Sequence, residues 1–349
     1  MQRRASKKIT VGNIAIGGDS PVTVQSMLNV PAHNFCDSVS QAVALEKAGC
    51  DIIRAAVPDM EAVGLIAKLR ESVNVPIVAD IHFDYRLAIE CVAAGVSKIR
   101  INPGNIGDES RVKKVAAACK NAGVPIRVGV NSGSLEKDIL AKYGSPTAEA
   151  LFESGMYHIK LLEKFDFDDI VLSLKASSAE RMYEAYEYAA AHCSYPLHLG
   201  VTEAGTRRMG IIKSSAAIGG LLLRGIGDTI RVSLTDSPIE EVKAGIDLLK
   251  AVGIRRGGIK FVSCPTCGRT KINLIELAEK AEKLLNGCDK DLTVAIMGCA
   301  VNGPGEAKDA DIGVAGGDGC GLIFKKGEIL RKVPESELLN ALMNEIEKM

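Results

Sequence analysis

The sequence predicts an α/β TIM barrel of eight βα units over residues 1–253, followed by a smaller α+β domain over residues 259–349. Two observations carry the barrel. The segments "AGCDIIRAAVP", "AGVSKIRINP" and "AGVPIRVGVN" each join an Ala-Gly helix end to a short β-branched strand containing Ile-Arg. Glycine suits a left-handed helix C-cap, and a continuous apolar run suits a strand covered on both faces, so each segment reads as the α-to-β joint of a parallel sheet. Such joints then recur until eight strands fit within about 250 residues, more than a doubly wound sheet usually holds. The second domain rests on a change of composition after Val252, where "GIRRGG" reads as a short linker.

The predicted barrel strands are residues 22–27, 51–57, 77–82, 98–102, 126–131, 170–175, 197–202 and 229–234. Helices are expected at 37–48, 59–73, 84–94, 109–122, 178–192, 207–223 and 238–252, with 132–168 as one long, mainly helical insertion. "VGNIAIGG" reads as a hairpin closing the barrel floor. Beyond the linker come a strand at 259–263, the loop "CPTCG", a helix at 273–286, a strand at 292–297, a strand pair around 321–330 and a final helix at 335–349.

Composition narrows the function. Forty-seven per cent apolar residues, 25% charged residues and a formal net charge of +0 describe a folded protein. There is no basic surplus and no Trp, so a nucleic-acid partner is not expected. No apolar run approaches the ~18 residues of a membrane span, and the N-terminus lacks a signal-peptide pattern. The expected compartment is the cytoplasm, where ten cysteines stay reduced and clustered ones point to metal or catalysis.

Side chains two apart on a strand share a face. That period aligns Arg100 with Asn102, Arg127 with Asn131, Ser173 with Lys175, Arg231 with Ser233 and Asp80 with His82, and puts His198 in line with Gly200. All lie late in their strands, where a TIM barrel builds its site. Arg54, Arg100, Arg127, Arg231 and Lys175 therefore converge on one mouth, and a multiply charged anion such as a diphosphate makes that crowd favourable.

In the second domain, Cys264, Cys267 and Cys299 are candidate metal ligands, with Cys288, Cys320 or Glu306 as the fourth. A closed zinc site wants four N or S ligands, whereas three thiolates with an imperfect fourth suit an iron-sulfur cluster. The competing readings are a zinc-stabilised barrel that captures phosphorylated metabolites without redox chemistry, and a barrel lyase using Lys175 as a Schiff base.

The stretches "VADIHFDYRLA", "KIRINPGNIG", "PIRVGVNSGSLE", "LHLGVTEAG", "FVSCPTCGRT" and "MGCAVNGPGEAKDADIGVAGG" closely resemble the bacterial 4-hydroxy-3-methylbut-2-enyl diphosphate synthases of the methylerythritol phosphate route to isoprenoids. The likeness runs over nearly the whole chain; "MLNVPAHNF", which holds His33, departs from the family pattern. The resemblance implies reductive opening of 2-C-methyl-D-erythritol 2,4-cyclodiphosphate, with two electrons delivered singly through a [4Fe-4S] cluster. It implies Cys264, Cys267, Cys299 and Glu306 as cluster ligands, and ferredoxin or flavodoxin as electron donor. It implies Arg54, Arg100, Arg127, Asn131, Lys175, His198, Arg231 and Ser233 as the clamp on the cyclic diphosphate. Glu203, just past the seventh strand, is the candidate proton donor. Because the chain leaves the eighth helix on the barrel floor, a linker of about 20 Å at full stretch predicts a homodimer whose site is shared between subunits.

Overall fold

A computed structural model of the protein describes residues 2–102, 105–300, 305 and 307–349. The chain divides into two compact units, Met1–Arg255 and Arg256–Met349.

The first unit opens with an antiparallel hairpin, β1 (Ile9–Val11) and β2 (Ile14–Ile16). Eight parallel strands follow: β3 (Thr23–Met27), β4 (Ile52–Ala56), β5 (Ile77–Asp80), β6 (Lys98–Ile101), β7 (Ile126–Asn131), β8 (Ile170–Lys175), β9 (His198–Leu199) and β10 (Thr229–Ile230). Their hydrogen-bonded order is β8-β7-β6-β5-β4-β3-β10-β9, and a parallel bridge between Leu172 and Leu197 joins the two ends. The ring is thus closed, as the α-to-β joints predict. Outward residues of each strand pack under helices whose buried stripes recur at helical spacing, for example Ala62, Leu65, Ile66 and Leu69 of Met60–Ser72. Asp59, Asp108, Ser178 and Ser237 each cap a helix with a side-chain oxygen, which fixes where the chain turns back from a strand. Val11 and Ile16 of the hairpin pack with Ile52 and Val78 in one apolar cluster, which plugs the floor.

Three details differ from the sequence reading. The 132–168 segment is not an ornament outside the barrel pattern: its helix Ala148–Glu163 buries eight residues and covers the sheet between β7 and β8, supplying the helix missing from that βα unit. β9 and β10 pair over two residues each rather than six. Their ladder stops near Gly200, where an added Cβ would stand 3.0 Å from both the Lys175 amine and the Arg231 carbonyl. The backbone there yields to an inward side chain. The single helix expected at 207–223 is two helices, Arg207–Ser214 and Gly220–Leu223, joined by the wider turn Ser215–Gly219.

The second unit is a five-stranded mixed sheet in the order β11-β12-β13-β14-β15. β11 (Ile259–Ser263), β12 (Leu292–Met297) and β13 (Ile312–Gly316) run parallel; β14 (Cys320–Lys325) and β15 (Glu328–Pro334) return antiparallel. Helices Leu274–Leu285 and Leu338–Glu347 bury their apolar faces in this unit's core. The sequence reading placed no strand at β13, because Ala and Gly there carry little β preference. Pairing on both sides supplies the order instead, and Gly313 is needed because a Cβ would meet the Phe324 ring at 2.4 Å. Among the described residues, no helix is long and apolar enough to cross a membrane.

Candidate active site

Register sets the barrel site. β6 lays Arg100 beside Asp80 of β5 and beside Arg127 of β7, while Asn131 of β7 lies beside Lys175 of β8. Gly129 leaves room for Arg100, whose Nε would stand 2.9 Å from an added Cβ. One carboxylate organises this side: Asp80 meets Arg54 at 2.7 Å, Arg100 at 3.2 Å and His82 at 3.3 Å. Burial by itself would raise the Asp80 carboxyl, but Arg54, His82 and Arg100 outweigh it and hold the group well below the usual carboxylate range. A second carboxylate, missed in the sequence reading, is Glu241. It sits in the first turn of the helix Pro238–Ala251, is 5% exposed, and bonds Ser26 at 3.0 Å and Arg231 at 3.3 Å. Its signal was the Ser-Pro-x-Glu-Glu helix start, which reads equally well as a solvated first turn.

These two carboxylates leave cations over. Among the described residues no carboxylate pairs with Arg127 or Lys175, which are 1% and 8% exposed. Nε and one terminal nitrogen of Arg127 have no hydrogen-bond partner. Burial pulls both groups below their ordinary values, and the neighbouring cations push the same way: Arg54 and Arg100 on Arg127, and Arg231 and Arg127 on Lys175. An excess of buried, mutually repelling donors is an arrangement that a bound anion would stabilise.

Of the other predicted residues, Asn131 ends β7 and Ser233 lies three residues past β10, both half-buried. His198 is sealed from solvent, with both ring nitrogens unpartnered; its backbone carbonyl accepts from the buried Tyr186 hydroxyl. Burial, then Arg127, Lys175 and Lys98, pull its ring well below the ordinary imidazole value. His33 is exposed and meets the Asp59 carboxylate at 2.9 Å, so it belongs to the capped entrance of a helix rather than to the cation cluster. Glu203 is exposed beyond β9, with no hydrogen bond or ion pair engaging it among the described residues. Its φ of +53° is left-handed, a conformation a non-glycine residue adopts at a cost of about 1 kcal/mol or more. It precedes the Thr206 cap of the next helix and contributes nothing to that helix's first turn.

In the second unit the thiols gather at one end of the sheet. Cys264 follows β11, Cys299 follows β12, and the "CPTCG" loop is tied down by the Lys271 N–H donating to the Gly298 carbonyl at 2.9 Å. The Gly298 N–H donates to Cys264 Sγ at 3.1 Å, the kind of bond a thiolate receives. Cys267 is exposed, and the Arg269 backbone and guanidinium bring its thiol below the ordinary value. Cys288 precedes β12 at the opposite end of the sheet, which removes it from this group; Cys320 opens β14 at the same end. Among the described residues no three His, Cys, Asp or Glu side chains stand close enough to hold a metal ion. Glu306 lies outside the described residues. The donor set thus fits a thiolate-bound metal group in kind, and metal bonds rather than chain contacts would draw the sulfurs together.

Comparison with known proteins places both units. Residues 6–246 match the GcpE TIM-barrel domain and residues 260–348 match the GcpE protein C-terminal domain. The chain is 57% identical over 349 residues to the 4-hydroxy-3-methylbut-2-en-1-yl diphosphate synthase (flavodoxin) of Clostridium tetani, covering 100% of both chains. It is 52% identical to the protein of that name from Geobacter sulfurreducens, over 99% of this chain and 98% of the relative. The dihydropteroate synthase of Yersinia pestis shares the barrel fold, with a TM-score of 0.52 and 16% identity over 70% of this chain and 96% of that one.

Proposed function

The chain belongs to the GcpE family, and from that premise we infer that it catalyses the reductive ring opening of 2-C-methyl-D-erythritol 2,4-cyclodiphosphate. Two electrons and two protons convert the substrate to (E)-4-hydroxy-3-methylbut-2-enyl diphosphate and one water. The observation that carries this reading is the surplus of buried cations at the barrel mouth over the carboxylates Asp80 and Glu241. A [4Fe-4S] cluster held by Cys264, Cys267, Cys299 and Glu306 would supply the electrons one at a time. Flavodoxin, which the relatives' names print, is the proposed donor, and the cytoplasm the proposed compartment.

The barrel residues do the rest. Arg54, Arg100, Arg127, Lys175, His198 and Arg231 hold the diphosphate, with Asn131 and Ser233 beside them. When the ring C–O bond breaks, the diphosphate oxygen gains negative charge, and donors already fixed in a dry pocket stabilise it without reorganising. Glu203, in a left-handed turn and without a hydrogen bond or ion pair among the described residues, is the proposed donor of the proton with which the hydroxyl leaves as water. Glu203→Gln is expected to lower kcat by about 10²- to 10⁴-fold with little change in KM; an unchanged kcat in steady-state assays would remove it from the mechanism.

Arg255 is bound to Asp51 at 3.1 Å at the barrel floor, so the free linker is Arg256, Gly257 and Gly258, about 10 Å at full stretch. So short a tether supports the shared-site homodimer, in which one subunit's thiol unit serves its partner's barrel. Mixing a Lys175→Met chain with a Cys299→Ser chain should restore activity if sites form in trans, and should restore none if they form in cis. Oxygen-free purification with iron and sulfide analysis tests the central reading; a metal content of zinc alone would favour the binding-protein alternative. Borohydride trapping tests the Schiff-base alternative, for which the buried Lys175 amine is suited but the family assignment gives no support.

A further inference from the structure

Lys98 is not among the residues proposed to hold the diphosphate. It precedes Arg100 by two residues on β6, on the same inward face, and pairs in register with Val78 of the apolar floor. Its side chain is 0% exposed and its amine has no hydrogen-bond partner. The titratable groups facing it are Arg127 on β7 and His198 on β9. Gln25 of β3 and Thr229 of β10 are also buried with unpartnered side-chain polar atoms, and the floor residues Ile52 and Val78 are apolar. No carboxylate pairs with Lys98 among the described residues.

The deep layers of a TIM barrel are ordinarily filled by branched apolar side chains. Here they hold a lysine that, charged, would be desolvated and repelled by Arg127, and that, neutral, does nothing an isoleucine could not do better. A charge that is costly in the free barrel becomes favourable once an anion occupies the layer above. We propose that Lys98 binds a proton from solvent together with the diphosphate, adding a cation beneath Arg127 when the anion is present and not before. Lys98 is thereby a positioning residue: it acts on the anion through Arg127, and its charge follows ligand occupancy. The inference rests on the diphosphate reading of the mouth.

The test is calorimetric titration of the full-length protein with pyrophosphate in two buffers of different ionisation enthalpy, which counts protons taken up on binding. Wild type and Lys98→Met are compared, so that the ligand's own titration cancels. The expected result is about one more proton taken up by wild type, with an affinity loss of about tenfold in Lys98→Met and a flatter dependence of affinity on pH. Equal proton uptake by the two proteins overturns the proposal, even if affinity falls. Absence of pyrophosphate binding to wild type overturns the diphosphate reading itself, and this proposal with it. Lys98→Gln, which keeps a polar end in the pocket, replaces the methionine variant if that one does not fold.

Discussion

Cys299→Ser is expected to yield a colourless protein with no turnover whose barrel binds pyrophosphate as tightly as the parent. A serine hydroxyl stays protonated and is a poor partner for a soft metal, so one lost sulfur leaves too few ligands to hold iron. Cys299 belongs to the compact unit Arg256–Met349 and the cation cluster to Met1–Arg255, so anion binding should not change. Iron and sulfide analysis after oxygen-free reconstitution checks the first part and calorimetry the second. Full iron content with undiminished turnover would sink the thiolate assignment. Glu306→Ala in the same experiment separates a four-ligand set from three thiolates alone: retained iron with lost turnover fits a replaceable oxygen ligand.

Asp80→Asn is expected to have the largest effect on stability. The carboxylate is 2% exposed and neutralises the buried Arg100 and the half-buried Arg54, so its removal leaves both guanidiniums uncompensated. Breaking a buried pair from one side costs about 3–5 kcal/mol, or a fall in Tm on the order of 10 °C for a barrel of this size. The pH dependence has a definite sign. The folded-state pKa of Asp80 is depressed, so its contribution is complete above the unfolded value of about 3.9 and is lost as pH falls further toward the folded one. Wild type should therefore lose stability on acidification below about pH 4 more steeply than the variant. Pyrophosphate should raise the Tm of Asp80→Asn more than that of wild type, because the anion replaces the missing charge. Thermal unfolding with and without pyrophosphate measures both; equal shifts would mean that Asp80 and the ligand do not share the same cations.

Much of the barrel was legible because its signals are local. A glycine cap followed by a β-branched run marks each joint within about ten residues, and the period of two along a strand already aligns Arg100 with Asn102 and Arg127 with Asn131. The helix Ala148–Glu163 was readable as a helix but not as a barrel helix, since nothing local distinguishes one that packs on the sheet from one in an insertion. β13 was not readable at all. The thiol unit was legible as a motif, and the structure adds the removal of Cys288 by its place at the far end of the sheet.

By itself, then, the order of residues determined the succession of the barrel strands and the inward face of each, because backbone preference and side-chain period act between near neighbours. The tertiary structure alone decided how charges are matched. Glu241 reaches Arg231 from a neighbouring helix, Asp80 serves two arginines at once, and among the described residues no carboxylate pairs with Lys98 or Arg127. Pairing energy depends on distance and burial across strands far apart in the chain, and only closure of the barrel sets those.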